Sequence, residues 1–397
     1  MPALMLWLVS ACGERGGIDV VLQRDSAGIR IVETKGETAR QPIGWDVGAL
    51  PDLQLGSAAD EGPEQFDRIG LRYQGGGIGG LPDGGIVVAD LGSAGLRFFD
   101  SEGRYTGKSG RPGDGPGEFR MPRLIPYVSS DSILIFDRRH RRFTLLSVDG
   151  SSYRSFPDNP ISKALLIGEI VGASHAGIVR IGVSSAVNMN EGQHLTSTEV
   201  RWMSMDSMQD LVVSEFQIPY YMTHDFGYPH GLNVPFNVNP AAAIAHRGFF
   251  VTGGDGVDVR EFDSMGQLTR IMRLSEPVRP VTADEIRAAI ESEISGFTIP
   301  HDKVRAAYKR VDFPDRWPTF QTLKVDRVGL LWAELYRATR NDPSLWMVFD
   351  SSGVAQGTVQ LPADLEVHDI GRDYVLGRWR DSLRVEYVRR YRLERNN

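Results

Sequence analysis

The sequence predicts an all-β chain built of six four-stranded units closed into a ring, with one short helical insertion. Three observations predict it. A Gly-Pro loop returns about fifty residues on, an Asp-x-x-Gly turn returns along most of the chain, and the two ends lack complementary strands.

The loop is Gly110-Arg-Pro-Gly-Asp-Gly-Pro-Gly-Glu-Phe119. Glycine supplies positive φ and proline fixes φ, so composition alone would suit a phosphate cradle, a metal loop or a sharp turn. Recurrence decides between them. Glu61-Gly-Pro-Glu-Gln-Phe66 repeats the acid-Gly-Pro-x-x-Phe core of the loop 53 residues earlier. Each copy is followed by an apolar run, Ile86-Val-Val-Ala-Asp90 and Ile133-Leu-Ile-Phe-Asp137, and weaker copies end in Phe236 and Phe320. A loop repeated in this way reads as a joint between units, with Phe119 packed between them and Glu118 capping nearby amides.

The turn occurs as Phe98-Phe-Asp-Ser-Glu-Gly103, Phe262-Asp-Ser-Met-Gly266 and Phe349-Asp-Ser-Ser-Gly353, with degraded copies at Asp149 and Asp206. Aspartate starts a turn through its side-chain oxygen and glycine supplies the left-handed position, so each copy predicts a hairpin. The marker aspartates 100, 149, 206, 263 and 350 are separated by 49, 57, 57 and 87 residues. The long interval contains residues 280–311, where Thr282-Ala-Asp-Glu285 is a capping box and Ile286, Ile290, Ile294 and Phe297 follow at near-helical spacing. Gly296 is the expected stop, and a second short helix is expected from His301 to Arg310. Without this insertion the period is restored.

Asp25-Ser-Ala-Gly28 and the following Ile29-Arg-Ile-Val-Glu33 repeat the turn and a strand with almost no chain before them. At the other end, Tyr374 to Trp379 and Leu383 to Leu393 supply strands, and the chain stops where the next turn is due. Residues 25–33 are therefore expected to complete the C-terminal unit and close the ring, which protects the edges an open array would expose.

This combination resembles the NHL-like six-bladed β-propeller proteins, in which a Gly-rich loop precedes the first strand of a blade and a later strand ends in an FDxxG turn. The resemblance covers residues 19–397 and implies a six-bladed β-propeller. It implies no single activity, since propellers serve as binders, lyases, lactonases and scaffolds.

Cys12 is the only cysteine, which excludes an intramolecular disulfide. It ends an apolar run, and Val9-Ser-Ala-Cys12 resembles the lipobox of bacterial lipoproteins, although no Lys or Arg precedes the run. The resemblance implies a signal segment at 1–11, lipid on Cys12, a tether at 12–18, and a membrane-anchored protein facing the periplasm or the cell exterior.

A net charge of −7 argues against a nucleic-acid partner. The basic run Arg138-Arg-His-Arg-Arg142 lies between two apolar runs and reads as a solvated hairpin tip. No HExxH, GxSxG, P-loop or paired-cysteine motif is present. The richest candidate segment is Tyr220-Tyr-Met-Thr-His-Asp-Phe-Gly-Tyr-Pro-His230, expected to lie with the 280–311 insertion on one mouth of the channel. Tyr220, Tyr221, His224, Tyr228 and His230 are its candidate ligand contacts, and His224, Asp225 and His230 are metal-ligand types. Trp202, Trp332, Trp346 and Trp379 lie in strand-like runs and read as core.

Two functions fit. One is a monomeric, cofactor-free, non-enzymatic binder or scaffold for a protein, peptide or glycan. The alternative is a metal-dependent lyase or hydrolase with its site at the propeller mouth.

Overall fold

The computed structural model of the protein describes residues 20–57, 62–70, 76–126, 131–149, 152–158, 169–183, 187–204, 209–254, 258–296, 300–339 and 341–396. Strands dominate, and the helices among these residues are α1 (Gly36–Ala39), α2 (Ala283–Ile294) and α3 (His301–Tyr308).

The strands form successive antiparallel sheets in chain order. The first holds Ile78–Gly80, Ile86–Asp90, Gly95–Phe99 and Tyr105–Ser109, and the second Pro122–Ile125, Ser132–Asp137, Arg142–Ser147 and Tyr153–Pro157. The third runs Glu169–Ala173, Gly177–Val183, Gly192–Ser204, Asp210–Thr223 and His230–Leu232. Val238–Ala245, Gly248–Gly254, Asp258–Asp263 and Leu268–Ser275 make the core of the fourth, and Phe320–Val325, Leu331–Leu335, Ser344–Phe349 and Ala355–Leu361 make the fifth. Glu366–Ile370, Tyr374–Arg380 and Glu386–Glu394 begin the sixth.

The repeated apolar runs become second strands. Ile86–Asp90 and Leu331–Leu335 are buried along their whole length, because each sheet has a neighbour on both faces. Such strands read as continuous apolar runs rather than alternating ones.

Sheets one and two meet over Val87, Leu96 and Ile135, and two and three over Phe143, Ile170 and Met203. Trp202, Ile244 and Phe249 join three to four, and Val259, Met272 and Phe320 join four to five. Trp346, Val359 and Leu393 join five to six, and Leu55, Leu376, Ile86 and Phe99 join six back to one. The succession of cores returns to its start, a propeller-like arrangement. Trp202, Trp332 and Trp346 are buried in these cores as expected, and Trp379 packs against one of them.

The loop 110–119 is a joint. Phe119 is buried between the first two sheets and Phe66 between the sixth and the first. Glu118 accepts from the Gly115 amide at 2.8 Å and from Arg111 Nε at 2.9 Å. Gly110 has φ +85°, and a Cβ there would stand 2.5 Å from the Phe119 ring, so a larger residue would displace that ring. Phe119→Ala is expected to cost about 3–5 kcal/mol in urea unfolding, from lost burial plus the cavity left between two sheets.

The Asp-x-x-Gly turns behave alike. Asp100, Asp263 and Asp350 each accept through Oδ1 from the amides two and four residues on. All three turns join the third strand of a sheet to its fourth. Asp206 lies outside the described residues.

The C-terminal sheet is completed by different residues from those expected. Residues 25–33 do not reach the C-terminal sheet. Val20–Ser26 and Ile29–Lys35 form a hairpin on the fourth sheet, with Ile29–Lys35 parallel to Leu268–Ser275. The sixth sheet is completed instead by Asp46–Val47 and Leu53–Leu55, both antiparallel to Glu386–Glu394. Local chemistry does not separate the two cases, since Asp25 also anchors its turn through Oδ1, here by accepting from the Gly28 amide three residues on at 3.0 Å. Tertiary fit does. Thr34 Oγ1 accepts from the Ala355 amide at 3.2 Å, which ties the hairpin to the fifth sheet, while Leu55 enters the core shared by sheets six and one.

The helical insertion forms as expected, with both bonds of the Thr282–Glu285 capping box present. Phe297 lies outside the described residues. The basic turn 138–142 is solvated at the exposed Arg138 and Arg139 and matched internally at its other three residues. Arg141 pairs with Asp158 at 2.6 Å, His140 Nε2 meets Asp114 at 2.7 Å, and Arg142 donates to the Glu118 carbonyl at 2.7 Å.

Candidate functional site

Gly192–Ser204 and Asp210–Thr223 are the longest strands, 13 and 14 residues, so their hairpin extends beyond the rest of the third sheet. Helices α2 and α3 pack on the extension. Tyr221, Leu232 and Val234 share one core with Ile294, Val304 and Tyr308, and the Tyr308 hydroxyl donates to the Asn233 carbonyl at 2.8 Å. The 217–240 segment and the 280–311 insertion thus build one element. A small cavity of about 250 Å³ separates it from the sheets, and Asn239, Gln321 and Arg337 line both this cavity and the central one.

Within this element the expected residues have distinct environments. Tyr220 and Tyr221 lie in a strand rather than a loop. Tyr221 is buried beneath the Arg310 guanidinium, which stands 5.9 Å from its ring centroid, so it packs the element instead of meeting solvent. The Tyr220 hydroxyl donates to the Asn188 carbonyl at 3.0 Å, and its ring lies 5.6 Å from that of His194. His224 Nε2 stands 2.7 Å from the Met189 carbonyl and so donates to it, while Asp225 pairs with Arg310. Tyr228 is 53% exposed, with its ring edge-on to His230 at 5.9 Å. His224, Asp225 and His230 do not gather into a metal-binding group, and among the described residues no three His, Cys, Asp or Glu side chains do.

The central cavity, about 1750 Å³, holds the charged groups that sequence reasoning missed. It is lined from the first strand of every sheet. Arg123 pairs with Glu169 at 2.9 Å, Arg378 with Glu366 at 2.5 Å, Arg327 with Asp369 at 2.7 Å and Arg337 with Glu334 at 3.1 Å. Burial raises the Glu366 carboxyl, but His368 and Arg378 outweigh it and hold the group at about 2. Burial likewise lowers the His368 imidazole and outweighs the nearby Glu366. The neutral imidazole accepts the Gly77 amide at Nδ1, 3.4 Å away, which leaves the proton on Nε2. The signal for these groups was present as single charged residues inside apolar first strands, in Pro122-Arg-Leu-Ile125, Leu323-Lys-Val325 and Val367-His-Asp-Ile370.

Mostly β sheets in cyclic succession around a cavity that holds paired charges define a propeller-like protein. No protein-family model matches the chain, and no curated protein matches it. Solved structures similar to it include a DUF4221-family member from Bacteroides vulgatus, at 10% identity and TM-score 0.44 over 88% of this chain and 98% of that one. A Bacteroides fragilis protein whose name marks it as exported gives 11% identity and TM-score 0.41 over 89% and 96%. A catalytically inactive virginiamycin B lyase from Staphylococcus aureus, solved with quinupristin, gives 10% identity and TM-score 0.35 over 82% and 97%. At these identities and scores the likeness assigns no activity. No helix among the described residues is long and apolar enough to cross a membrane.

Proposed function

We propose that this chain is a six-bladed β-propeller of the NHL-like kind, held to the cell envelope by lipid on Cys12, that binds a protein, peptide or glycan at one mouth of its channel. The observation that carries the binding reading is the single core shared by the extended hairpin and α2–α3 beside the channel mouth. Long insertions in a compact domain are usually functional, and this one presents an exposed aromatic, Tyr228, next to His230. Six sheets in cyclic contact support the blade count, and the Val9-Ser-Ala-Cys12 tetrad supports the anchor.

Glycan and peptide arrays probed with the purified protein test the binding reading. Tyr228→Ala and His230→Ala are expected to lose the signal while the melting temperature holds; retention of binding by both variants would sink it. Intact-mass analysis of the protein from its native host tests the anchor, with an acylated Cys12 as the expected new N-terminus. An intact Met1 with a free thiol would exclude it.

A further inference from the structure

Among the described groups lining the central cavity, each arginine is ion-paired and each carboxylate has a partner. Besides the four pairs already given, Arg380 pairs with Glu386 at 2.7 Å, Asp326 with Arg395 at 2.9 Å, and Asp364 accepts the Trp379 indole N–H. Lys324 differs. It lies on the first strand of the fifth sheet and lines the cavity, with no carboxylate within ion-pairing distance among the described residues.

The other unmatched polar atoms of the lining are N–H donors, the Nε atoms of Arg123, Arg337 and Arg378, while His368 Nε2 faces Glu366 at 3.5 Å. Those atoms are themselves covered, so they act through their field, whereas Lys324 is half-buried and lines the open space. A cavity whose ion pairs cancel, whose covered guanidinium donors lack acceptors, and whose charges outside ion pairs are the Lys324 ammonium and the solvent-exposed Asp364 carboxylate is matched at the lysine by an oxyanion.

We infer that the channel holds a second binding site, in which Lys324 ion-pairs with the carboxylate or phosphate group of a small ligand. This site does not depend on the exposed face of the mouth. The cavity is larger than a drug-sized ligand needs, so the anion shares it with water. Burial lowers the lysine against the attraction of Asp369, Glu366, Glu334 and Glu169, and an incoming anion reverses that shift. Anion binding is therefore coupled to retention of the lysine proton and weakens as pH rises.

Calorimetric titration of the full chain with inorganic phosphate and, separately, with succinate tests this. At least one of the two is expected to bind saturably, and which one does identifies the head group. Lys324→Met is expected to lower that affinity about tenfold or more, the loss of a charge-assisted contact, with the melting temperature at or above that of the wild type. Lys324→Arg should retain part of the binding and lose its weakening with rising pH, since the guanidinium keeps its proton.

Absence of saturable binding by both anions, or equal binding by wild type and Lys324→Met, overturns the inference. Loss of anion binding in Tyr228→Ala with retention in Lys324→Met would assign the anion to the mouth instead, which sinks the channel site while leaving the mouth reading intact.

Discussion

Removal of residues 1–56 is expected to abolish cooperative unfolding, whereas removal of residues 1–35 only lowers the melting temperature. The shorter deletion takes away a hairpin laid on the outside of the fourth sheet, leaving that sheet its own four strands. The longer one also removes the last strands of the sixth sheet. Glu386–Glu394 then becomes an unpaired edge, and the core around Leu376, Val388 and Phe99 opens beside it. Leu55 alone is 2% exposed, so Leu55→Ala should cost about 2–5 kcal/mol. Thermal scans of both truncations and urea unfolding of the point variant check this. If the 1–35 deletion were as damaging as the 1–56 deletion, closure by residues 46–55 would be wrong.

Asp137→Ala is expected to cost at least about 3 kcal/mol, several times the loss from an ordinary surface change, because each stranded buried donor costs about 1–3 kcal/mol. The carboxylate is fully buried at the end of the second strand of the second sheet. It accepts from the amides of Arg120, Met121, Arg139 and His140 and meets His140 Nδ1 at 3.0 Å. One side chain therefore fixes both the joint loop and the neighbouring hairpin. Asp137→Asn keeps one acceptor oxygen and should lose less.

The effect carries a pH signature. Burial raises this carboxyl, but the amides and His140 outweigh it and lower it below its ordinary 3.8. A depressed carboxyl stabilises the fold above its unfolded value, and that contribution disappears as pH falls through the folded one. The gap between wild type and Asp137→Ala should thus be full at neutral pH and narrow below 3.8. A gap independent of pH down to acid unfolding would remove the carboxylate from this role.

The sequence was legible wherever structure is decided over a few residues. The Asp-x-x-Gly turns, the capping box at Thr282 and the joint at Phe119 each depend on a side chain and the backbone beside it, so pattern alone located them. Pairing partners were not legible in the same way. Asp25 anchors a tight turn with its side chain as Asp100 does, yet the strand after it lies parallel on the fourth sheet, because fit between distant surfaces chose the neighbour. Asp46–Val47 and Leu53–Leu55 are too short to announce themselves as strands.

The candidate mouth segment was found from its density of aromatics and histidines, but the burial of Tyr221 came from helices sixty or more residues away in sequence. The channel charges were harder still. Arg123, Glu169, Lys324, Glu366 and His368 are single residues on four different sheets, and only the packing of those sheets brings them to one cavity.

Closure between the two ends also sets a timetable for synthesis. Gln54 and Arg389, which meet in the completed sixth sheet, are 335 residues apart. At about 5–20 residues per second, the segment carrying Leu53–Leu55 emerges roughly 20–70 seconds before the strand that will receive it. Through that interval the nascent protein carries an unsatisfied strand at its front, while the sheets behind it can already assemble. The last stretch of the message therefore decides whether the sixth sheet is completed. A ribosome that stalls after the fifth sheet releases a chain with exposed edges at both ends, the form in which such a protein pairs with copies of itself.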